Sequence, residues 1–188
     1  DLTAGLVTTE TNDVTPGTTE TSFKLKLIYG HTYNFLFWAD TKGIYDVTDL
    51  NAVAIDPATY AGNNADRDAF YANMMNKVVD APITMDVTLT RPFAQLNIIT
   101  TDLLSADQVD VSAGMKVEFT APTKFNVGTG EASDPQAMVS ATTSFYGETA
   151  DGQTPVTMDY VFVTDGEKEL INFSYIATGI MAEPREFT

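Results

Sequence analysis

The sequence contains no cysteine, one histidine (His31) and one tryptophan (Trp38) among its 188 residues. Without cysteine there is no disulfide, no thiolate metal ligand and no thiol nucleophile. Because there is no second imidazole either, a transition-metal site would have to be built from carboxylates. No Gly-x-Ser-x-Gly elbow is present to complete a Ser-His-Asp mechanism. We therefore expect His31 to be an ordinary turn residue.

Basic residues are also scarce, at 10 against 26 acidic residues, which gives a formal net charge of −16. Such a surface repels phosphate backbones and anionic lipid headgroups, so nucleic acid and membrane surfaces are poor partners. No stretch approaches the roughly 20 apolar residues that span a bilayer. The chain begins at Asp1 and no leader pattern precedes it, so we expect a processed or truncated piece of an extracytoplasmic protein.

Motifs that would carry chemistry are weak. Gly128-Thr129-Gly130 lacks the lysine and the strand-to-helix context of a phosphate loop. Glycosidases need only two carboxylates, but most acidic residues here fall in turns or on polar strand faces. The sequon Asn172-Phe173-Ser174 lies in a predicted strand and is interpreted as accidental. We expect no enzymatic activity, no catalytic residues and no cofactor.

Calcium is a separate possibility, because Asn64, Asp66 and Asp68 have the spacing of the first half of a calcium loop. Ala69 stands where that loop needs glycine, and Met75 stands where it needs a bidentate acid. The same residues suit the start of a helix, where they would accept hydrogen bonds from free backbone N–H groups. We favour the helix cap over a metal site.

The chain divides into a lead-in (residues 1–22) and a single predicted β-sandwich domain (23–188) with an irregular insertion (40–82). The lead-in holds eight threonines and few large apolar residues, which indicates an extended or weakly ordered segment. Within the insertion, Phe70, Met74 and Val78 recur at four-residue steps. This spacing predicts a short amphipathic helix over 66–79, with Asp66 or Asp68 near its start.

The rest of the sequence alternates apolar and polar residues, which is typical of half-buried strands. Residues 23–27 and 33–38 are predicted to form a hairpin around the Gly30-His31 turn, with Trp38 on a central strand. The clearest strand covers 83–90, and Arg91-Pro92 predicts a bulge or corner within one long bent strand. Further strands are predicted at 115–119, 138–145, 156–162 and 170–177. The fold class is therefore an all-β, two-sheet antiparallel sandwich of seven or eight strands with one short helix.

Several segments, in this order and spacing, resemble the fimbrillin superfamily of pilus subunits from Bacteroidia. They cover about residues 23–177 and comprise Tyr33–Asp40 (YNFLFWAD), Asp68–Ala72 (DAFYA), Val87–Asn97 (VTLTRPFAQLN), Met158–Phe162 (MDYVF) and Ile171–Phe173 (INF). The resemblance implies an N-terminal sandwich of Greek-key, transthyretin-like topology from a surface lipoprotein. A lipobox cysteine and a second sandwich, both usual in the family, are missing. We therefore expect this chain to be cut or to belong to a shortened member.

The resemblance also implies a function as a structural subunit, or as an accessory tip or anchor component, of a cell-surface fimbria. Its partners would be other pilus subunits, joined by β-strand exchange. Residues 3–22 are the best candidate for the exchanged strand, and a disordered linker is the open alternative. A second hypothesis is a carbohydrate- or host-protein-binding adhesin, in which Tyr45, Tyr60 and Tyr71 of the insertion stack on ligand. Tyrosines in such positions are more often packing residues.

Overall fold

The computed structural model describes residues 5–15, 17–100, 115–142, 153–167, 171, 173–177 and 185–187. Nine strands lie within these residues: β1 His31–Asp40, β2 Val53–Ala54, β3 Ala69–Val79, β4 Phe93–Thr100, β5 Met115–Asn126, β6 Glu131–Thr142, β7 Thr154–Phe162, β8 Phe173–Ala177 and β9 Arg185–Phe187. The only helical element in the described part of the chain is a 3-10 turn at Ala65–Arg67. No described helix is long and apolar enough to cross a bilayer.

Every strand pairing is antiparallel, and the strands form three sheets. The largest sheet is built on β5, which pairs with β6 along its whole length. On its other side β5 pairs with β8 near its start and with β2 near its end, and β8 continues to β9. The other two sheets are the two-stranded ladders β1–β3 and β4–β7. The predicted all-β antiparallel architecture is confirmed, and it is consistent with a β-sandwich.

Aromatic side chains hold the three sheets together. Phe125 of β5 and Phe162 of β7 are fully buried and stack with ring centroids 5.6 Å apart. Trp38 of β1 lies 6.4 Å from both rings, and Tyr71 of β3 lies 4.7 Å from Phe125. Each sheet therefore contributes at least one ring to a shared core, and burial of these large apolar surfaces is the main source of stability.

The predicted helix over 66–79 is wrong beyond its first turn. Residues 69–79 form strand β3, which pairs with β1 from Asp40↔Ala69 to His31↔Val79. The four-residue steps of Phe70, Met74 and Val78 are also multiples of two, so they fit a strand as well as a helix. The non-local ladder with β1 decides between the two structures.

One predicted hairpin and one predicted strand are also not found. Residues 23–28, the Lys-Leu segment, belong to no strand, so β1 pairs with β3 and not with this segment in a hairpin. Residues 83–89 likewise form no ladder, although their predicted alternation is present from residue 85 onward: Met85, Val87 and Leu89 are half-buried, and the residues between them are exposed. The sequence therefore predicts correctly which of these side chains face the core, but within the described part of the chain this segment has no partner strand.

β5 runs past Pro122 to Asn126, well beyond the predicted strand over 115–119. Pro122 lies directly opposite Pro135 of β6, between the stretch of β5 that pairs with β8 and the stretch that pairs with β2. Two missing N–H donors are thus concentrated at one point of the ladder. Asp134 beside them has a φ of 58°, which marks a local irregularity in β6. The predicted strand over 156–162 is found within β7. Of the strand predicted over 170–177, residues 173–177 form β8 and Ile171 is not in a strand. Residues 170 and 172, and 143–145 of the predicted strand over 138–145, lie outside the described residues.

Candidate functional site

The chain before β1 exposes large apolar side chains. The described residues of the lead-in (5–15 and 17–22) and the Lys-Leu segment form neither helix nor strand. Their most exposed apolar side chains are Leu6 (87%), Ile28 (68%), Val7 (67%) and Val14 (47%). Burying such a side chain typically stabilises a structure by about 1.5–3 kcal/mol. Burial of this segment against another surface would therefore add stability that the described fold lacks.

A tyrosine of β1 holds the end of the Lys-Leu segment. The Tyr33 hydroxyl accepts a hydrogen bond from the Ile28 N–H at 2.9 Å and donates to the Ile28 carbonyl at 3.1 Å. A side chain thereby satisfies both backbone groups that a neighbouring strand would otherwise pair. β1 itself pairs with β3 on one side, and its second edge has no ladder partner among the described residues.

The edge of β6 has a different chemistry. Pro135 lacks a donor, Asp134 has a left-handed backbone, and Lys124 of β5 forms an ion pair with Asp134 at 2.8 Å. Proline, local irregularity and charge are the features by which sheet edges avoid pairing with other chains. β1 contains neither proline nor lysine, and its ladder with β3 is regular except for a bulge between Tyr33 and Phe35. Features that hinder strand pairing are therefore fewer on β1 than on β6.

Residues 83–89 are a second extended segment without a ladder. They leave β3 through Asp80 and Ala81 and return to it at Thr90, whose N–H donates to the Tyr71 carbonyl at 2.9 Å. Tyr71 N–H donates in turn to the Thr90 carbonyl at 2.8 Å. Among the described residues, this edge of β3 is therefore paired only at Tyr71, with Thr90. The backbone of residues 83–89 has polar groups available for pairing.

The three tyrosines that were candidates for ligand stacking are core residues, and that part of the prediction is wrong. Tyr45, Tyr60 and Tyr71 are only 7%, 8% and 6% exposed. The Tyr45 hydroxyl donates to the Arg67 carbonyl, and Tyr60 contacts Phe119 edge-on with centroids 6.0 Å apart. Burial raises the pKa of Tyr45 and of Tyr60 well above the usual range, so both stay neutral and act as hydrogen-bond donors.

A buried polar cluster surrounds Asp159 of β7, which is 1% exposed. The Tyr60 hydroxyl donates to Asp159 Oδ1 at 2.9 Å, and the Arg67 guanidinium lies over the Tyr60 ring at 4.3 Å. The hydroxyls of Ser140 and Thr157 lie close to the carboxylate without reaching hydrogen-bond geometry, and Asp159 Oδ2 has no hydrogen-bond partner among the described residues. The cluster fastens the loop that carries Tyr60 and Arg67 onto β7.

Sequence reasoning overlooked this cluster. The available signal was a single carboxylate in an otherwise apolar strand, since Val156, Met158 and Val161 around it are all buried. A charged residue at such a position is rarely left without partners, so Asp159 predicts a buried polar contact from another part of the chain. The partner could not be predicted, because Tyr60 is 99 residues away in sequence.

Asp159 makes stability depend on pH. Burial raises the pKa of its carboxyl above the ordinary value of 3.8, and the hydrogen bond from Tyr60 only partly offsets this effect. The folded state therefore binds the proton more tightly than the unfolded state, and the contribution of this group to stability falls as pH rises through the folded pKa. Asp159→Asn removes the charge, so the variant should gain stability relative to the parent protein as pH rises above the ordinary carboxyl pKa of 3.8.

Urea unfolding of both proteins at a series of pH values measures this difference. Asp56→Asn is a suitable control, because Asp56 is exposed. A stability difference between the Asp159→Asn variant and the parent that does not change with pH would contradict a raised pKa for Asp159.

The remaining candidate residues have local structural roles. His31 is the exposed first residue of β1, with its ring 6.4 Å from that of Tyr33. The Asn64 side chain accepts from the Asp66 N–H at 3.0 Å, so the cap is formed by Asn64 and not by Asp66 or Asp68. Asp68 instead pairs with Arg91. Among the described residues no group of three or more His, Cys, Asp or Glu could hold a metal ion. Asn172 of the sequon lies outside the described residues.

Comparison with known proteins gives a fold and a family. A solved structure described as a “putative adhesin” from Bacteroides ovatus ATCC 8483 superimposes with a TM-score of 0.53 at 8% sequence identity. The match covers 81% of this chain and 63% of the Bacteroides chain, and at that identity it shows a shared fold alone. A search of curated proteins finds no match. Membership in the fimbrillin superfamily stays a prediction. A family model matches residues 3–182, nearly the whole sequence, and the chain belongs to that family, the family of unknown function DUF6562.

Proposed function

We propose that this protein is a structural or accessory subunit of a bacterial cell-surface fimbria, and that subunits join when the lead-in of one adds a strand to an open edge of the next. The carrying observation is the exposed apolar chain before β1, with Leu6 87% and Val7 67% exposed. Leu6 and Val14, the latter 47% exposed, are eight positions apart, so in an added strand they would lie on one face and fill pockets while the backbone completes the ladder.

The acceptor in this proposal is the second edge of β1. It has regular strand geometry over most of its ten residues, and no described residue pairs with it. The adjoining Tyr33 hydroxyl holds Ile28 by side-chain hydrogen bonds, so an incoming strand does not have to displace an existing ladder there. No catalytic group, metal or cofactor is needed for this role, because the free energy comes from burial and backbone hydrogen bonds.

Two further considerations support a surface location. The Bacteroides protein of similar fold is described as an adhesin candidate, and fimbrial subunits are the family that the sequence resembles. The acidic surface, with a net charge of −16, disfavours nucleic acid as a partner; it also repels a second copy of the chain, so burial and backbone hydrogen bonds must outweigh this repulsion when subunits join. The partners in this proposal are other pilus subunits.

The test is the assembly of the full-length gene product, expressed with its maturation protease. We expect multimers in light scattering and on unboiled SDS gels. Combining Leu6→Asp with Val14→Asp should reduce them at least about tenfold, because a charge in a filled pocket costs more than the roughly 1.4 kcal/mol that a tenfold change requires. Combining Glu10→Gln with Asp13→Asn, at exposed polar positions of the same segment, should have little effect.

Amide hydrogen exchange gives an independent test. We expect residues 5–22 to exchange freely in the monomer and to become protected in the multimer, since protection requires a backbone partner. Strong protection throughout this stretch in the monomer would rule out a displaced strand, and a persistent monomer under assembly conditions would contradict a role in the shaft of a fimbria.

A further inference from the structure

A small groove lies on the β4–β7 ladder, away from the lead-in. It has a volume of about 200 Å³ and is lined by Arg91, Phe93, Gln95 and Tyr160. Gln95 and Tyr160 are opposite each other in the ladder, and Phe93 is two residues before Gln95 on the same face. The rings of Phe93 and Tyr160 meet at 65° with centroids 5.8 Å apart. The groove is thus formed by two aromatic rings, an amide and a guanidinium.

Arg91 is held in place on three sides. Its Nε and Nη2 donate to the two carboxylate oxygens of Asp68 at 2.7 and 2.6 Å. Its guanidinium carbon lies 4.8 Å from the centre of the Phe70 ring. The preceding residue, Thr90, is bonded to Tyr71, and the following residue, Pro92, is fully buried. A guanidinium fixed in this way loses little conformational entropy when a ligand binds.

The floor of the groove is equally rigid. Phe93 stacks on the buried ring of Phe162 at 4.9 Å with an angle of 17° between the planes. Its second aromatic neighbour on the core side is Tyr45, at 5.9 Å. Packed aromatic rings on a sheet give a surface whose shape is set before the ligand arrives. Gln95 is exposed at the rim and supplies both a donor and an acceptor.

The electrostatics limit the class of ligand. Asp68 neutralises Arg91, and the whole chain has a net charge of −16, so an anion meets a repulsive field. In the described part of the chain no carboxylate lines the groove, and Arg91 presents only N–H donors there, so a cation has no charged acceptor. A neutral molecule with one apolar face and several hydroxyl groups satisfies the rings, the amide and the remaining guanidinium donors together. The volume is below the roughly 300–1,000 Å³ of pockets for drug-sized ligands, so only one ring fits inside.

We propose that the Arg91–Phe93–Gln95–Tyr160 groove binds a single ring of a neutral saccharide. A C–H face of the ring lies on Phe93 and Tyr160, and ring hydroxyls bond to Gln95 and to Arg91. This inference does not rest on strand addition, because the groove is complete within one chain. It also differs from the earlier expectation for Tyr45, Tyr60 and Tyr71, which are buried.

The test uses the full chain as a monomer, first on an array of oligosaccharides with neutral termini and their sialylated or sulfated counterparts. The best neutral sugar is then titrated by calorimetry or NMR. We expect Gln95→Ala and Tyr160→Ala each to weaken binding at least about tenfold, a change of roughly 1.4 kcal/mol. Asn97→Ala, an exposed neighbour on the same face of β4 that does not line the groove, should change affinity less than about twofold.

Arg91→Lys keeps the charge and removes the bidentate pair with Asp68, so it should weaken binding without changing the preference for neutral sugars. The proposal is overturned if no neutral saccharide binds at about 10 mM, where a millimolar site would be mostly filled. It is overturned equally if only anionic glycans bind, or if the Gln95 and Tyr160 variants bind as well as the parent. Circular dichroism of each variant establishes that a loss of binding is not a loss of fold.

Discussion

Phe125→Ala is expected to lower the free energy of unfolding by about 3–5 kcal/mol, the usual cost of removing a fully buried phenylalanine. Phe125 is 0% exposed and lies against Tyr71, Phe162 and Trp38, at 4.7, 5.6 and 6.4 Å between ring centroids. These three rings belong to the other two sheets, so the cavity would open where all three sheets meet. The loss is a large part of the roughly 5–15 kcal/mol that stabilises a typical domain.

Urea unfolding followed by Trp38 fluorescence measures the effect of Phe125→Ala. Phe23→Ala is a matched control, because Phe23 is 41% exposed and precedes β1 without a ladder. This control should change stability by about 0.5 kcal/mol or less. A similar loss for both variants would mean that the Lys-Leu segment packs as firmly as the core, contrary to its observed exposure.

Gly62→Ala is expected to lower the free energy of unfolding by about 3 kcal/mol, which combines overpacking with the loss of a buried hydrogen bond. A Cβ atom at residue 62 would lie 1.8 Å from Ser140 Oγ and 2.3 Å from Asp159 Oδ1. Both neighbours are almost completely buried, so neither can swing into solvent. Moving Asp159 would also separate it from the Tyr60 hydroxyl.

A double-mutant cycle with Ser140→Gly separates steric clash from a general effect on the loop. Ser140→Gly removes the two atoms that a new Cβ would meet at 1.8 and 2.9 Å. The double variant should therefore be more stable than the sum of the single changes predicts, by at least about 1 kcal/mol. Additive effects would show that Gly62 is needed for some reason other than its close approach to Ser140.

The alternation of apolar and polar residues was enough to predict the fold class. It located β7 and β8, and it predicted the half-buried positions of Met85, Val87 and Leu89 correctly. Periodicity reports which face of a segment meets the core, and this is a local property of the sequence. The segment at 66–79 shows its limit, because the apolar residues spaced four apart there fit two periods at once.

Pairing and burial across the chain could not be predicted in the same way. The partner of β1 is β3, some forty residues later, and the predicted hairpin with residues 23–28 was the nearest local alternative. Tyr45 and Tyr60 lie in irregular chain, where no period indicates whether a ring faces inward. The groove depends on Arg91 meeting Asp68, a contact between residues that are 23 positions apart.

The contrast between the edges of β1 and β6 sets a direction for any polymer that forms by strand addition. If strand addition uses only the edge of β1, and pairing at β6 is blocked by Pro135 and by the left-handed Asp134, each subunit has one donor segment and one acceptor edge. The product is then an unbranched head-to-tail filament with a free acceptor at one end and a free donor at the other. Length could then be controlled by a single capping molecule placed at the growing tip.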